Sequence, residues 1–389
     1  MQQFLKLYIF YTAIALFCQS CDTTTDKEAT KQIEKLQTPN QIAPAIEFAK
    51  GFSLTYTDDY KLIDIYSPFR GSEDTLHYIL LPEPHAIPTG FEKYQTIRIP
   101  VKNMVLTSTT HLAMVAHLDR LGIVSGLTDA SFVYNNNVKE KLIKGEIKEI
   151  GKNGTLNIEA IVANKTKLVI SGAWNSAAYD AYRPLIEIGI PVLVNAEWIE
   201  QHPLGRMEWL KLFGALLNEE KKAQELFEAS KQQYFNLSEK TKDLKNKPTV
   251  INGMPYQGAW SIAGGNSYVG KLLKDAGADW HWEKDTLNVS YQMDFETVFP
   301  IGLEADYWIA PGRAFDLASI ATIDNRFTDF KAYKQKKVFN YHGRVNEAGL
   351  YDFYESGVVQ PETVLADLIK IFHPTILPEH DLYYFKKVE

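Results

Sequence analysis

From Met104 onward the chain keeps one rhythm: a short, unbroken apolar run, then an amphipathic helix, then another apolar run. "NMVLTS" reads as a strand buried on both faces. "TTHLAMVAHLDRLG" reads as a helix opening at a Thr cap and closing at Gly122. "GIVSGLTD" gives the next strand. "LNIEAIVANKTKLVISG" gives a helix from Asn157 and a strand over 168–170, and "AAYDAYRPLIEIG" with "IPVLVNAE" repeats the pair. Continuous apolar strands with helices between them have few solutions. Both faces of the sheet must be covered, so the strands lie parallel and the helices cross over them.

The rhythm stops once and then restarts. "PLGRMEWLKLFGALL" reads as one helix, and Asn218 as the cap of a second, with Glu219 and Glu220 in its first turn. There the positive end of the helix dipole favours acids. Ala223, Leu226, Phe227, Ser230, Tyr234 and Leu237 recur at helical spacing, and Pro248 ends the run. This helix is expected to run for about 25 residues, or nearly 40 Å. After Pro248, "TVINGM", "ADYWIAPG" and "KKVFNYHG" are strands, and "SYVGKLLKDAG", "DFETVFPIGL" and "PETVLADLIKIF" are helices. The fold class expected is therefore α/β: two Rossmann-like lobes with parallel sheets (51–217 and 248–389), one connecting helix (218–247), and a ligand cleft between the lobes. About 350 residues exceed the usual size of a single core, which fits two lobes.

The start of the chain is different. Lys6 is the only charge before Asp22, and residues 7–17 are almost wholly apolar. A run of about 11 residues is too short to span a bilayer but fits a secretory signal over 1–20. Both cysteines of the chain, Cys18 and Cys21, lie here. Ser20-Cys21 resembles the lipidation site of a bacterial lipoprotein, with Cys21 as the lipid-bearing residue. The polar stretch that follows is expected to be a flexible tether, bounded at 21–50. Residues 52–97 add a strand-rich extension punctuated by proline, with no role assigned to it.

Composition narrows the function. A net charge of −7 and a pI near 5.8 argue against a nucleic-acid partner. The chain has no G-x-S-x-G elbow, no G-x-G-x-x-G and no H-E-x-x-H, and no phosphate-cradling G-x-x-x-x-G-K-[ST], because the run Gly265–Lys271 is followed by Leu272 where that loop needs Ser or Thr. The reading is a protein that is not an enzyme, with no cofactor and no metal site. His281-Trp282-Glu283 alone is too little for a metal.

The layout resembles the helical-backbone substrate-binding proteins of ABC importers, in their iron-siderophore and vitamin B12 branch. "VLTSTTHLAMVAHLDRLGIVSGLTD" is similar to the family's opening strand, helix and glycine step, with Thr110-His111 where relatives often carry Thr-Glu. "LNIEAIVANKTKLVI" and, more loosely, "MDFETVFPIGLEADYWI" resemble the acid-led helix and strand of each lobe. The resemblance implies a lipid-anchored protein on the periplasmic side of the cell envelope, a monomer, that hands its ligand to permease subunits. It implies that Glu159 and Glu296 dock on those subunits, and that the lobes move little on binding.

Ligands of open α/β sheets bind at the carboxyl ends of the strands. The segments expected there are rich in rings. They offer Trp174, Glu197, Trp198, Tyr256, Trp260 and Tyr291, then Arg313, Tyr341 and Arg344. Aromatic rings give wide contact with a polar tip, and the arginines suit an anionic ligand. Gly253, Gly258, Gly264 and Gly265 are expected to let backbone approach a bulky ligand. A ferric siderophore or related iron complex is the expected ligand, a corrinoid is the alternative, and a hydrolase using the same cleft is the further alternative.

Overall fold

The computed structural model describes residues 44–152, 155–172 and 175–389. The signal segment, Cys21 and Trp174 lie outside the described residues. Apart from the end of β1, the elements below belong to one compact unit, Ala43–Thr55 with Asp59–Glu389.

Residues 45–50, read as the end of a flexible tether, are instead pinned to the first lobe. The buried Glu208 carboxylate accepts the backbone N–H groups of Glu47 (2.9 Å), Phe48 (2.7 Å) and Ala49 (2.8 Å). It also pairs with buried Lys211 at 2.7 Å, whose ammonium donates to the Ala45 carbonyl at 2.6 Å. Glu200 accepts the N–H groups of Lys50 and Gly51 and the Trp209 indole N–H. Carboxylates that accept several N–H donors can stay buried, and these donors lie far away along the chain.

The extension is a four-stranded sheet of β1 (Phe52–Tyr56), β2 (Lys61–Tyr66), β3 (Thr75–Pro82) and β4 (Gln95–Ile99), in that order. Leu62, Ile79 and Leu81 close one face under Phe91 and Tyr94. On β3 the Tyr78 hydroxyl donates to the Val192 carbonyl (3.0 Å) and accepts the Val194 N–H (3.3 Å). Gln95 Oε1 accepts the Val192 N–H at 2.9 Å.

The first lobe follows with β5 (Met104–Leu106), β6 (Val124–Thr128), β7 (Lys148–Lys152), β8 (Thr155–Leu156), β9 (Leu168–Ser171) and β10 (Val192–Val194). They form a sheet in the order β10-β9-β5-β6-β7-β8, parallel except for β8. Helix α1 (Thr109–His117) is capped by Ser108 rather than by a threonine. Helices α2 (Asn136–Ile143) and α3 (Ile158–Ala163) are capped by Asn135 and Asn157. Val105, Ile161, Val169 and Val192 share one core cluster.

The expected single helix over 203–217 is two, α4 (Pro203–Glu208) and α5 (Leu210–Leu217), broken at Trp209. Asn218 closes α5 in the left-handed conformation (φ 55°) and does not cap the next helix. Asparagine tolerates that conformation, which ends a helix as readily as its side chain starts one. Helix α6 (Glu220–Ser238) then spans 19 residues, shorter than expected.

From Pro248 the strands are β11 (Thr249–Asn252), β12 (Pro255–Tyr256), β13 (Ala259–Ala263), β14 (Asp279–Trp280), β15 (Ser290–Asp294), β16 (Tyr307–Ile309), β17 (Val338–Asn340) and β18 (Lys386–Lys387). Five make a sheet in the order β14-β11-β16-β17-β18, parallel up to β17. The other three, β12-β13-β15, make an antiparallel sheet out of segments expected to follow the strand ends. Helices α7 (Tyr268–Asp275), α8 (Phe295–Glu304) and α9 (Pro361–Phe372) belong to this lobe, with shorter helices over Leu317–Ile323 and Lys331–Lys334. Gly302 of α8 is required by packing, because a Cβ there would sit 2.3 Å from Phe330 Cζ.

Candidate functional site

Each parallel sheet reverses its strand order beside its first strand, at β9/β5 in one lobe and at β11/β16 in the other. Crevices at such switch points, beyond the strand carboxyl ends, are where α/β sheets bind ligands. A cleft of about 590 Å³ lies there, lined from both lobes. Its volume suits a small-molecule ligand.

The first-lobe wall is polar. Thr110 comes from α1, after β5, and Glu197, Trp198 and Glu200 come from the segment after β10. Burial pushes the Glu197 carboxyl above its ordinary range, against weaker downward pulls from the Thr110 hydroxyl and the Arg206 charge. Its Oε2 has no hydrogen-bond partner among the described residues, and neither has the Trp198 indole N–H. Arg206 is spent on the protein itself. Nη2 donates to the Trp198 carbonyl (2.9 Å), Nε donates to the Glu200 carbonyl (3.3 Å), and the guanidinium lies 3.8 Å over the Tyr268 ring of the second lobe. Close by, His111 is fully buried, with neither ring nitrogen in a well-formed hydrogen bond among the described residues; burial, against a weaker pull from the Ile170 backbone, brings its pKa down to about 3, so it is neutral.

The second-lobe wall is aromatic. Tyr341, just after β17, stacks on Phe353 with centroids 3.8 Å apart and planes 15° apart, and Tyr354 meets it edge-on. Burial pushes the Tyr341 phenol far up, which keeps it neutral. Asn252 and Gly253 close the wall at the end of β11.

Three of the sequence-predicted residues, Glu197, Trp198 and Tyr341, line this cleft together. The others are placed elsewhere. Trp260 is fully buried, donates its indole N–H to the Asn252 carbonyl (2.9 Å) and packs among Phe295, Trp308, Phe327 and Phe330. The reason is strand parity: along β13 side chains alternate, so Trp260 and Ile262 turn into the core while Ser261 and Ala263 face the cleft. Tyr291 pairs with Ile262 and so shares its face, away from the cleft; burial and nearby Asp285 push its phenol up to about 12. Tyr256 is 77% exposed on the hairpin. Arg344 is taken up by Asp352 (2.6 Å) and the Tyr383 ring (4.4 Å). Arg313 is exposed beyond β16, near Tyr351 and Tyr354.

Gly264 and Gly265 serve internal packing rather than a ligand. A Cβ at either would run into the carbonyls of Leu287 or Glu283 at 2.4 Å or less. Gly258 takes a positive φ (81°) at the hairpin turn, with open space around it, and only Gly253 borders the cleft.

The sequence reading missed Arg206, Tyr268, Phe353, Tyr354 and Arg70. The dense rings of "LYDFYESG" were the available signal for Phe353 and Tyr354. Arg206 and Tyr268 sit in helical patterns that read as ordinary amphipathic faces.

Glu159 and Glu296 are both exposed in the first turn of a capped helix, α3 and α8 respectively. Glu159 borders an open hollow with Glu149, Lys152 and Asn157. Arg326 reaches Glu296 at 3.7 Å but binds Asp324 more closely, at 2.7 Å. Among the described residues no group of three or more His, Cys, Asp or Glu could hold a metal ion. No described helix is long and apolar enough to cross a membrane.

Residues 107–345 match the family model described as "Periplasmic binding protein", and the chain belongs to that family. An uncharacterized lipoprotein of Methanocaldococcus jannaschii is 23% identical over 98% of this chain and 94% of its own length. Among solved structures, a periplasmic binding protein from Veillonella parvula matches with a TM-score of 0.55 and 15% identity, over 83% of this chain and 98% of that one. The periplasmic heme binding protein of Vibrio cholerae matches at 0.51 and 15% identity, over 68% and 99%. These likenesses show that the two-lobed fold is that of periplasmic binding proteins.

Proposed function

We propose that this chain is the substrate-binding lipoprotein of an ABC importer, held by a lipid on Cys21 at the periplasmic side of the envelope. It captures a metal chelate, a ferric siderophore or related iron complex, and delivers it to the permease. The observation that carries this reading is the cleft at the strand carboxyl ends. One wall is stacked aromatic, and the other holds a buried acceptor atom and a donor without hydrogen-bond partners among the described residues. A flat aromatic wall favours a broad, partly apolar ligand over a bare ion. A corrinoid meets the same wall and is the second reading. In this proposal Glu159 and Glu296, one exposed acid on each lobe, set the register on basic groups of the permease.

The test pairs binding with transport. Ferric enterobactin, ferrichrome, haem and cyanocobalamin are titrated against the full chain in detergent, and the bound probe is then followed into vesicles holding the permease. Replacing both Glu159 and Glu296 by Ala is expected to leave the Kd unchanged and lower uptake at least tenfold. Unchanged uptake in the double variant excludes the docking role, and turnover of a bound probe excludes the transport reading.

A further inference from the structure

The extension over 52–97 reaches the ligand cleft through one turn. After β2, Ser67 adopts a positive φ (45°) and donates its N–H to the Asp74 carbonyl at 2.9 Å. Phe69 then buries itself against the Tyr179 ring of the first lobe, centroids 5.5 Å apart. With Ser67 and Phe69 fixed, the next residue, Arg70, stands exposed at the cleft, in the same lining as Thr110, Glu197 and Arg206. The sheet behind the turn is held to β10 by Tyr78 and Gln95, so the turn keeps its place beside the segment that carries Glu197.

The charges in the cleft are unequally occupied. Arg206 donates to two carbonyls and covers a ring. Glu200 spends its carboxylate on Lys50, Gly51 and Trp209. Arg70 pairs with no acid among the described residues, and Glu197 Oε2 accepts from none of them. A free guanidinium and a free buried acceptor on one side, with stacked rings on the other, describe a complementary ligand: a broad ring-bearing body, an anionic arm, and an N–H or O–H donor.

Resting on the transport reading above, we propose that the extension is a ligand-recognition element. Its turn carries Arg70 into the cleft mouth to bind an anionic arm of the ligand, while Glu197 accepts from a donor on the ligand body. A planar guanidinium suits carboxylate or catecholate oxygens, and charge-assisted bonds of this kind are the strong ones.

The test titrates the full chain in detergent with ferric enterobactin and haem as anionic probes, and ferrichrome and cyanocobalamin as neutral ones. Tryptophan quenching reports binding, and melting temperature checks that each variant folds. Arg70→Ala is expected to weaken the anionic probe that binds about tenfold, the loss of one charge-assisted contact. It should flatten the salt dependence of that binding, leave any neutral probe unchanged, and be largely rescued by Arg70→Lys. Equal Kd in Arg70→Ala and the parent, or binding of neutral probes alone, overturns the role of the extension and leaves the transport reading standing. Binding of none of the four probes overturns both.

Discussion

Two buried carboxylates, eleven residues apart in sequence, do opposite things. Glu208 is fully enclosed and fully occupied: three backbone N–H groups and the Lys211 ammonium take its two oxygens. Glu197 is almost as buried and lines a cleft, yet its Oε2 has no hydrogen-bond partner among the described residues. Burying a charge is costly unless it is paired and hydrogen-bonded, so the fold has met that cost at Glu208 and left part of it unmet at Glu197. The first holds the chain together. The second keeps hydrogen-bonding capacity for something outside the chain.

Breaking the occupied site should have the largest effect. Lys211→Met leaves Glu208 buried without its cation, and such losses cost roughly 3–5 kcal/mol. Urea unfolding should show that drop; a change under about 1 kcal/mol would mean that the strap alone satisfies Glu208. An intermediate case sharpens the contrast. Glu355 crosses from the second lobe to accept the N–H groups of Tyr134 (2.6 Å) and Asn135 (3.0 Å), yet burial raises its pKa from 4.5 to about 7. Raised above its unfolded value, it binds more protons folded than unfolded between those values, so stability falls as pH rises through that window. The fall amounts to roughly 3 kcal/mol at most, at 1.36 kcal/mol per unit. Unfolding curves at pH 4.5 and 7.5 should lose that difference in Glu355→Gln; an unchanged pH slope in the variant assigns the effect to another group. The smallest stability effect belongs to Glu197→Gln. Its stability near neutral pH should match or slightly exceed the parent's, because a costly buried charge is removed, while affinity for the chelate that binds falls. A variant that loses stability and keeps affinity would put Glu197 in the structural class with Glu208.

How much of this was legible follows from the range of each signal. The β5-to-β10 and β11-to-β17 alternations were readable because strand and helix periods are local. The parity of a strand is local too, but its phase against the core is not. "GAWSIAG" reads the same whether Trp260 or Ser261 faces the cleft, and the pairing of β13 with β15 decides it. Asn218 was misassigned for a similar reason: the same side chain serves the start or the end of a helix, and only the backbone angle tells which. Glu200 and Glu208 were beyond reach because the backbone N–H groups they accept lie 149 or more residues away along the chain, and Arg70 because it lines a cavity that the fold creates.

The contacts of Tyr78 and Gln95 have a further consequence, for solubility rather than for binding. Strand β10 ends the first-lobe sheet, and an end strand normally shows solvent a row of open donors and acceptors on which a second chain can grow. Here a hydroxyl and an amide from the extension occupy those positions at Val192 and Val194. Side chains, rather than another strand, finish the sheet, so the pairing stops there. A lobe deprived of β3 and β4 would regain that sticky border and should self-associate through it, whatever the state of its cleft.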